Sequence, residues 1–237
     1  MSRHKKRKPI RGKIGRVWRL SLKFLFFIII LSISQVLFLR FVNPPFTART
    51  GWTWFEKKLT TGHDKSPLYR WRQLKHISPH LRKAVLAGED QRFLSHHGFD
   101  FIEMNEAFWD ILAERGTRGA STITMQAART VFLWPGRSWL RKMAEAYYTL
   151  LIEVFWSKER IFEIYLNTVD WGEGIMGAEV ASRNYFRRSS SRITATEAAL
   201  LAAVLPNPRK WSPVNPSGYV EERKRKIMRD MRKMPLL

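Results

Sequence analysis

The chain has 237 residues, a formal net charge of +22, 45% hydrophobic residues and no cysteine. This length is enough for one large domain or two small lobes with a hydrophobic core. The lack of cysteine excludes a disulfide framework and any zinc or iron–sulfur site held by Cys.

The positive charge is concentrated at the N-terminus. Residues 1–23 contain ten Lys or Arg and no acidic residue, so the rest of the chain carries +12. A strongly basic chain first suggests a nucleic-acid partner, but this cluster stands directly before an apolar run. We therefore expect no nucleic acid; the remaining charge favours membrane headgroups or phosphates as partners.

The apolar run begins at Phe24, is interrupted by Arg40 and stops before Pro44-Pro45. A spanning helix needs about 20 residues, which this run supplies if Arg40 reaches the far interface. A cleaved signal peptide is the alternative, but the run is long for one and no small-residue cleavage site follows. The sequence predicts a cytoplasmic tail at 1–23 and a transmembrane helix at 24–42, with the remainder outside the cytoplasm.

Helical signals dominate the part beyond the expected connector at 43–65. Ser78-Pro79 marks a helix start, and Thr194 with Glu197 forms a capping box for a helix to Val204. Apolar spacing predicts further helices over 101–113, 121–131, 138–167 with a break near Ser157, and 221–234. No run alternates with period two for long enough to predict a strand, so the expected fold class is all-α.

Titratable residues gather where the first of these helices ends, in the segment Glu89–Asp100. Carboxylates are disfavoured at the C-terminal end of a helix, where the macrodipole raises the pKa of Glu89 and suits it to act as a general base. An ordinary acidic helix end is the alternative. The later segment 118–129 combines hydroxyl, amide and basic side chains suited to sugar and phosphate, although a plain Ser-capped helix has the same features. A third segment, 137–145, is rich in basic residues and ends at Glu145.

Five sequence motifs, in this order along the chain, resemble those of a known protein family. They are Glu-Asp-x-x-Phe-x-x-His-x-Gly at 89–98, Gly-x-Ser-Thr-Ile-x-x-Gln at 119–126, Arg-Lys-x-x-Glu at 141–145, Tyr-Leu-Asn-x-x-x-x-Gly at 165–172 and Glu-Ala-Ala-Leu-Leu-Ala at 197–202. The chain closely resembles the peptidoglycan glycosyltransferases of glycosyltransferase family 51, in particular the monofunctional transglycosylases. The resemblance implies a lysozyme-like, two-lobed helical glycosyltransferase domain at 66–237, preceded by the one transmembrane helix.

The resemblance also implies residue roles. Glu89 matches the catalytic base that takes the proton from the acceptor's 4-hydroxyl, and Glu145 matches a second essential carboxylate near the donor's pyrophosphate. Arg129 and Arg137 match the cations that neutralise the leaving group. The remaining expected substrate-binding positions are Asp90, Arg92, Phe93, His96, Ser121, Thr122 and Gln126.

The chain departs from the family pattern beside this basic pair. Arg129 stands where the family usually has Lys, Thr130 where it has Asn, and Ala127 replaces a larger residue. Arginine keeps the charge and grips phosphate in a bidentate manner, so we expect activity to survive. No cofactor is expected to be required, with a divalent Mg²⁺ or Mn²⁺ ion near Glu145 as an open alternative.

The implied activity is polymerisation of lipid II into β-1,4-linked glycan with inversion and release of undecaprenyl pyrophosphate, in cell wall biogenesis. Expected partners are lipid II, the growing strand, the bilayer of the inner membrane and proteins of a cell-wall synthesis complex. A lytic, lysozyme-like enzyme is a rival, although it has no need of the Arg129/Arg137 pair. The others are a nucleic-acid-binding protein and an inactive scaffold. The motifs of a transpeptidase domain are missing, so a bifunctional enzyme is not expected.

Overall fold

The computed structural model describes residues 10–45, 47–48, 50–52, 70–114, 119–136 and 138–237, with side chains from Gly15 onward. The chain divides into two compact units, residues 1–42 and 43–237. Helices make up nearly all regular structure in the described residues, which confirms the all-α prediction.

The first unit contains one long helix, α1 (Ile10–Phe41). Its stretch Gly15–Phe41 is long and apolar enough to cross a membrane, at about 1.5 Å of rise per residue. The helix begins earlier than the apolar run, within the basic tail, because Arg and Lys are good helix formers. The proposed boundaries at residues 23 and 42 stay predictions, as does the connector at 43–65, of which residues 46, 49 and 53–65 lie outside the described residues.

In the second unit, residues 48 and 50–52 are helical, and the elements described over their full length begin with a 3₁₀ turn and end with another. In order, the elements are the turn Leu74–His76, α2 (Pro79–Glu89), α3 (Phe101–Leu112), α4 (Ile123–Phe132), α5 (Trp139–Phe155), α6 (Lys158–Thr168), β1 (Asp170–Gly172), β2 (Ile175–Met176), α7 (Ala178–Phe186), α8 (Ala195–Val204), α9 (Gly218–Asp230) and the turn Met231–Lys233.

Capping side chains set where several helices begin. Ser78 accepts a hydrogen bond from the His80 N–H and opens α2, and Thr194 forms the predicted capping box with Glu197. The predicted break in the long helical stretch is also confirmed, since α5 ends at Phe155 and Ser157 caps α6.

The helices form two clusters. In one, α2, α8 and α9 pack against each other; in the other, α4 packs against both α5 and α6. The apolar helix α8 is buried along almost its whole length, with Leu201 and Val204 fully inside. Burial of such apolar surface is the main stabilising contribution to each cluster. This arrangement confirms the two-lobed fold expected from the resemblance.

A small hairpin and a helix were not predicted. β1 and β2 form an irregular antiparallel pair, and α7 follows directly after Gly177. Gly177 has a φ of +81°, and a Cβ there would lie 2.5 Å from the carbonyl oxygen of Asn167. Strands of two and three residues are too short to show a period-two pattern, so hydrophobic periodicity could not predict them.

A buried carboxylate fastens α7 to its surroundings. The Glu179 side chain is fully buried and accepts from Arg72 Nη2 at 3.0 Å, Arg183 Nε at 2.6 Å and Ser190 Oγ at 2.7 Å. Burial acts to raise the pKa of Glu179, but these hydrogen bonds outweigh it and hold the pKa well below 4.5. The ionised form is therefore part of the folded state.

We expect Glu179→Gln to lower the free energy of unfolding by about 2 kcal/mol, because it leaves buried donors without a charged acceptor. The exposed Glu222→Gln is the matched control. A folded-state pKa below the unfolded value gives stability that is fully present above the unfolded pKa and is lost as pH falls through the folded one. Urea unfolding of the detergent-solubilised chain should thus show the full difference still present at about pH 5. Equal stability of the two variants would contradict this role.

Candidate active site

Glu89 is the last residue of α2, and its two carboxylate oxygens are held from different helices. Gln126 Nε2, on α4, donates to Oε2 at 3.1 Å, and Arg223 Nη2, on α9, donates to Oε1 at 3.3 Å. The side chain is 10% exposed. Each oxygen has a second lone pair, so the carboxylate can still accept a proton from a bound hydroxyl.

The environment of Glu89 makes it more basic than a surface carboxylate. Burial raises the pKa of the Glu89 carboxyl, although the hydrogen bond from Gln126 and the charge of Arg223 oppose this effect. Its position at the C-terminal end of α2 acts in the same direction as burial. A glutamate with a raised pKa is suited to general base catalysis near neutral pH.

A buried tyrosine contacts the side-chain amide of Gln126. The Tyr165 hydroxyl lies 3.5 Å from Gln126 Oε1, and burial raises the pKa of this phenol well above 10. The phenol is therefore protonated and can donate to the amide oxygen. That contact turns the NH₂ group of Gln126 towards Glu89.

Asp90, the next residue along the chain, is buried and joins two elements. Both of its oxygens lie 3.0 Å from His96 Nε2, and Oδ2 also accepts from the backbone N–H of Ile123 at 2.9 Å. Ile123 is the first residue of α4. The carboxylate of Asp90 therefore fixes the end of α2 against the start of α4.

Arg92 and Phe93 hold the loop that follows. Arg92 Nε and Nη2 donate to the two oxygens of Asp100 at 2.8 and 3.0 Å, and Asp100 in turn caps α3. Burial acts to raise the pKa of Asp100, but the bonds from Arg92 and the backbone N–H of Glu103 lower it overall. Phe93 is 1% exposed and packs 5.7 Å from the ring of Phe162. Arg92 and Phe93 therefore both stabilise the conformation of this loop.

Gly98 and Thr122 close this loop against α4. Gly98 has a φ of +88°, and a Cβ there would lie 2.8 Å from Thr149 Cγ2. Its carbonyl accepts from the Thr122 hydroxyl at 2.6 Å, and Thr122 also caps α4 through the Met125 N–H. The Thr122 side chain is buried, and these two hydrogen bonds both join it to backbone groups.

Glu145 is surrounded by cations. Its side chain is fully buried, with Lys142 Nζ at 2.7 Å, Arg141 Nη1 at 3.6 Å and Arg129 Nη1 at 3.8 Å from its oxygens. Three cations face one carboxylate, so these four side chains carry an excess of two positive charges. Arg129 is 33% exposed and Lys142 49% exposed, so both can reach a ligand. This cluster is suited to bind a polyanion.

Helix α4 places the two carboxylate sites side by side. Gln126, which contacts Glu89, and Arg129, which contacts Glu145, stand three residues apart on one face of α4. The rise between them is about 4.5 Å. A base and a cluster with excess positive charge are therefore adjacent along one helix.

The sequence matches the transglycosylase family over residues 56–232. The chain belongs to this family. It is 49% identical over 205 residues to the biosynthetic peptidoglycan transglycosylase of Pseudomonas entomophila (strain L48), covering 84% of each chain. It is 47% identical over 208 residues to that of Pseudomonas syringae pv. syringae (strain B728a), covering 86% of each, and 44% identical over 229 residues to that of Xanthomonas campestris pv. campestris (strain B100), covering 96% of this chain and 92% of the relative.

Family membership confirms the resemblance and a glycosyl-transferring enzyme. The structure brings Glu89, Asp90, His96 and Gln126 together, and it places Glu145 beside Arg129. Ser121 contributes its carbonyl, 3.4 Å from Gln126 Nε2. Arg137 lies outside the described residues. The assignment of these side chains to substrate stays a prediction.

Sequence reasoning missed three cations at the site. Arg141 and Lys142 belong to the third motif but were not assigned to the ligand; their spacing of four and three residues from Glu145 was the available signal. Arg223 lies in a helix rich in Lys and Arg, where charge alone does not distinguish it from its neighbours.

The donor set around Glu145 does not suit a divalent cation. A single carboxylate is available there among the described side chains, and three positive charges would repel Mg²⁺ or Mn²⁺. The described residues offer one other cluster of metal-ligand type, Asp90, His96 and Asp100. Its carboxylates already accept bonds from His96, Arg92 and backbone N–H groups, so an ion would displace contacts that hold the loop.

Proposed function

We propose that this chain polymerises peptidoglycan glycan strands from lipid II and releases undecaprenyl pyrophosphate. The observation that carries the proposal is the pair of unlike carboxylate sites along α4. One holds a Glu with a raised pKa; the other is a cluster with excess positive charge. The names of the relatives, biosynthetic peptidoglycan transglycosylases, support the same substrate class.

Glu89 acts as the base in this mechanism. It takes the proton from the acceptor sugar's 4-hydroxyl as the oxygen attacks the anomeric carbon of the donor. The bond from that carbon to the pyrophosphate oxygen breaks, and the leaving group keeps the electron pair. Attack from the opposite face converts the α-linked donor into a β-1,4 linkage, with inversion.

The cation cluster serves the leaving group. Pyrophosphate is weakly basic, so positive charge rather than a strong acid is needed to stabilise it as it departs. Arg129 and Lys142 are the partly exposed members, and Glu145 fixes their positions from inside the protein. A lytic enzyme, whose leaving group is a sugar hydroxyl, would need an acid here instead.

Apolar side chains supply a surface for the bilayer that holds the lipid tails. On α3, Phe108 and Trp109 are more than half exposed, and Trp134 after α4 is 40% exposed. Leu133, next to Trp134, is buried, and the ring of Phe132 stacks on Tyr148 with the centroids 4.4 Å apart. Further exposed apolar residues are Phe101, Ile102, Ile111, Leu112, Trp139, Leu140, Met143, Leu150 and Val154.

The ten positive charges before the apolar helix support a cytoplasmic N-terminus in the inner membrane, with the catalytic unit on the periplasmic side. A reporter that is active only outside the cytoplasm, fused after Leu237, should therefore be active. Signal from a cytoplasm-only reporter at that position would overturn the orientation and revive a nucleic-acid partner.

The two carboxylates should respond differently to amide substitution. Glu89→Gln keeps the size and one hydrogen bond but cannot accept the proton, so polymerisation should fall by about 10²-fold or more while donor binding persists. Glu145→Gln removes the charge that organises three cations, so it should lower turnover and also weaken binding of a pyrophosphate-containing donor analogue.

Polymerisation by the two variants is measured with labelled lipid II, as the amount of lysozyme-sensitive polymer formed. Donor binding is measured by titration with the pyrophosphate-containing analogue. Glu173→Gln, on an exposed turn, is the matched control and should behave as wild type. Normal polymerisation by Glu89→Gln together with an inactive Glu145→Gln would show that the roles are reversed.

Substitutions of Arg129, which stands where the family usually has Lys, test whether this position serves the leaving group. Arg129→Lys should keep substantial activity, because one positive charge at this position supplies most of the stabilisation. Arg129→Ala should lose about 10²-fold or more in turnover, as for loss of one donor to a developing anion. Arg192→Ala removes an exposed charge elsewhere and is the control. Near-wild-type polymerisation by Arg129→Ala would show that this position does not serve the leaving group.

A further inference from the structure

Arg223 differs from the other cations of the C-terminal helix in its position. It stands between Val220 and Ile227, which are 0% and 2% exposed, on the face of α9 that packs against the protein. Arg225, Lys226 and Arg229 on the same helix are exposed, and the half-buried Lys224 pairs with Glu221 within the helix. A guanidinium on a buried helix face is costly unless it is compensated there.

The fit of α9 against α2 brings Arg223 to the end of α2. A Cβ at Gly88 would lie 3.1 Å from Ile227 Cδ1, so the glycine allows the two helices to approach closely. Arg223 is one turn away from Ile227, and its Nη2 donates to the Gly88 carbonyl at 2.8 Å as well as to Glu89. The guanidinium thus contacts both the backbone that ends α2 and the carboxylate that follows it.

We propose that Arg223 is a positioning residue for Glu89: its guanidinium orients the carboxylate and stabilises its charge, so that α9 forms part of the active site. This rests on the proposed role of Glu89 as the base. Gln126 holds the other oxygen without charge, Asp90 is a neighbouring anion, and the Tyr165 phenol is neutral. Arg223 is therefore the cation in direct contact with Glu89 among the described residues.

The charge of Arg223 lowers the pKa of Glu89 and so opposes the effect of burial. Without that charge the pKa of Glu89 rises, and the base becomes protonated, and inactive, at a higher pH. The acid limb of the pH profile of kcat/KM should therefore move to higher pH. A purely structural arginine would leave that limb in place.

The test uses the full chain in detergent with labelled lipid II, across the pH range. Arg223→Gln keeps a donor for the Gly88 carbonyl and removes the charge. For this variant, the ratio of the rate at about pH 6 to the rate at about pH 8 should be about 10-fold lower than the same ratio for wild type. Arg223→Lys keeps the charge and should keep the wild-type profile. Arg225→Gln removes an exposed charge from the same helix and is the matched control.

Thermal melting of each variant separates stability from positioning. If Arg223→Gln does not fold, Arg223→Met removes the charge with an apolar side chain that suits the space beside Val220 and Ile227. An unmoved acid limb in the charge-free variant, with Glu89→Gln inactive, would overturn the role of Arg223 alone. An active Glu89→Gln would overturn the proposed function as well.

Discussion

The carboxylate of Asp90 accepts hydrogen bonds from His96 and from the backbone N–H of Ile123, and so joins the end of α2 to the start of α4. These helices belong to different clusters, and the buried carboxylate is one of the contacts that align the clusters at this point. Glu89 precedes Asp90 directly, and the link therefore also fixes the distance between Glu89 and Gln126. Breaking this contact would leave a buried polar group without a partner on each side, which is costly in free energy.

The two carboxylates of the site show how environment separates their chemistry. Glu89 is held by one neutral and one charged donor and keeps its basicity through burial. Glu145 is buried among three cations and serves as their fixed counter-charge. On our proposal one activates the acceptor and the other organises the leaving group, and α4 sets the separation between them. The same residue type thus takes two roles because different helices surround it.

Much of the fold could be predicted from the sequence because its signals are local. Capping residues at Ser78 and Thr194 and the break at Ser157 gave helix boundaries within a few residues. The hairpin at Asp170–Met176 and the helix after Gly177 were missed because their elements are short and stabilised by tertiary contacts. Arg223 was missed for a related reason: its proximity to Glu89 arises from packing of α9 on Gly88, across 134 residues of sequence.

On our proposal, acceptor and leaving group bind at two adjacent points along α4. This proposal is tested most directly by a structure of the Glu89→Gln variant with a lipid II pyrophosphate analogue and an acceptor glycan. We expect phosphate oxygens at Arg129 and Lys142, and the acceptor's 4-hydroxyl within about 3 Å of the amide at position 89. Pyrophosphate bound beside position 89, or an acceptor hydroxyl bound away from it, would show that the two sites do not have these roles.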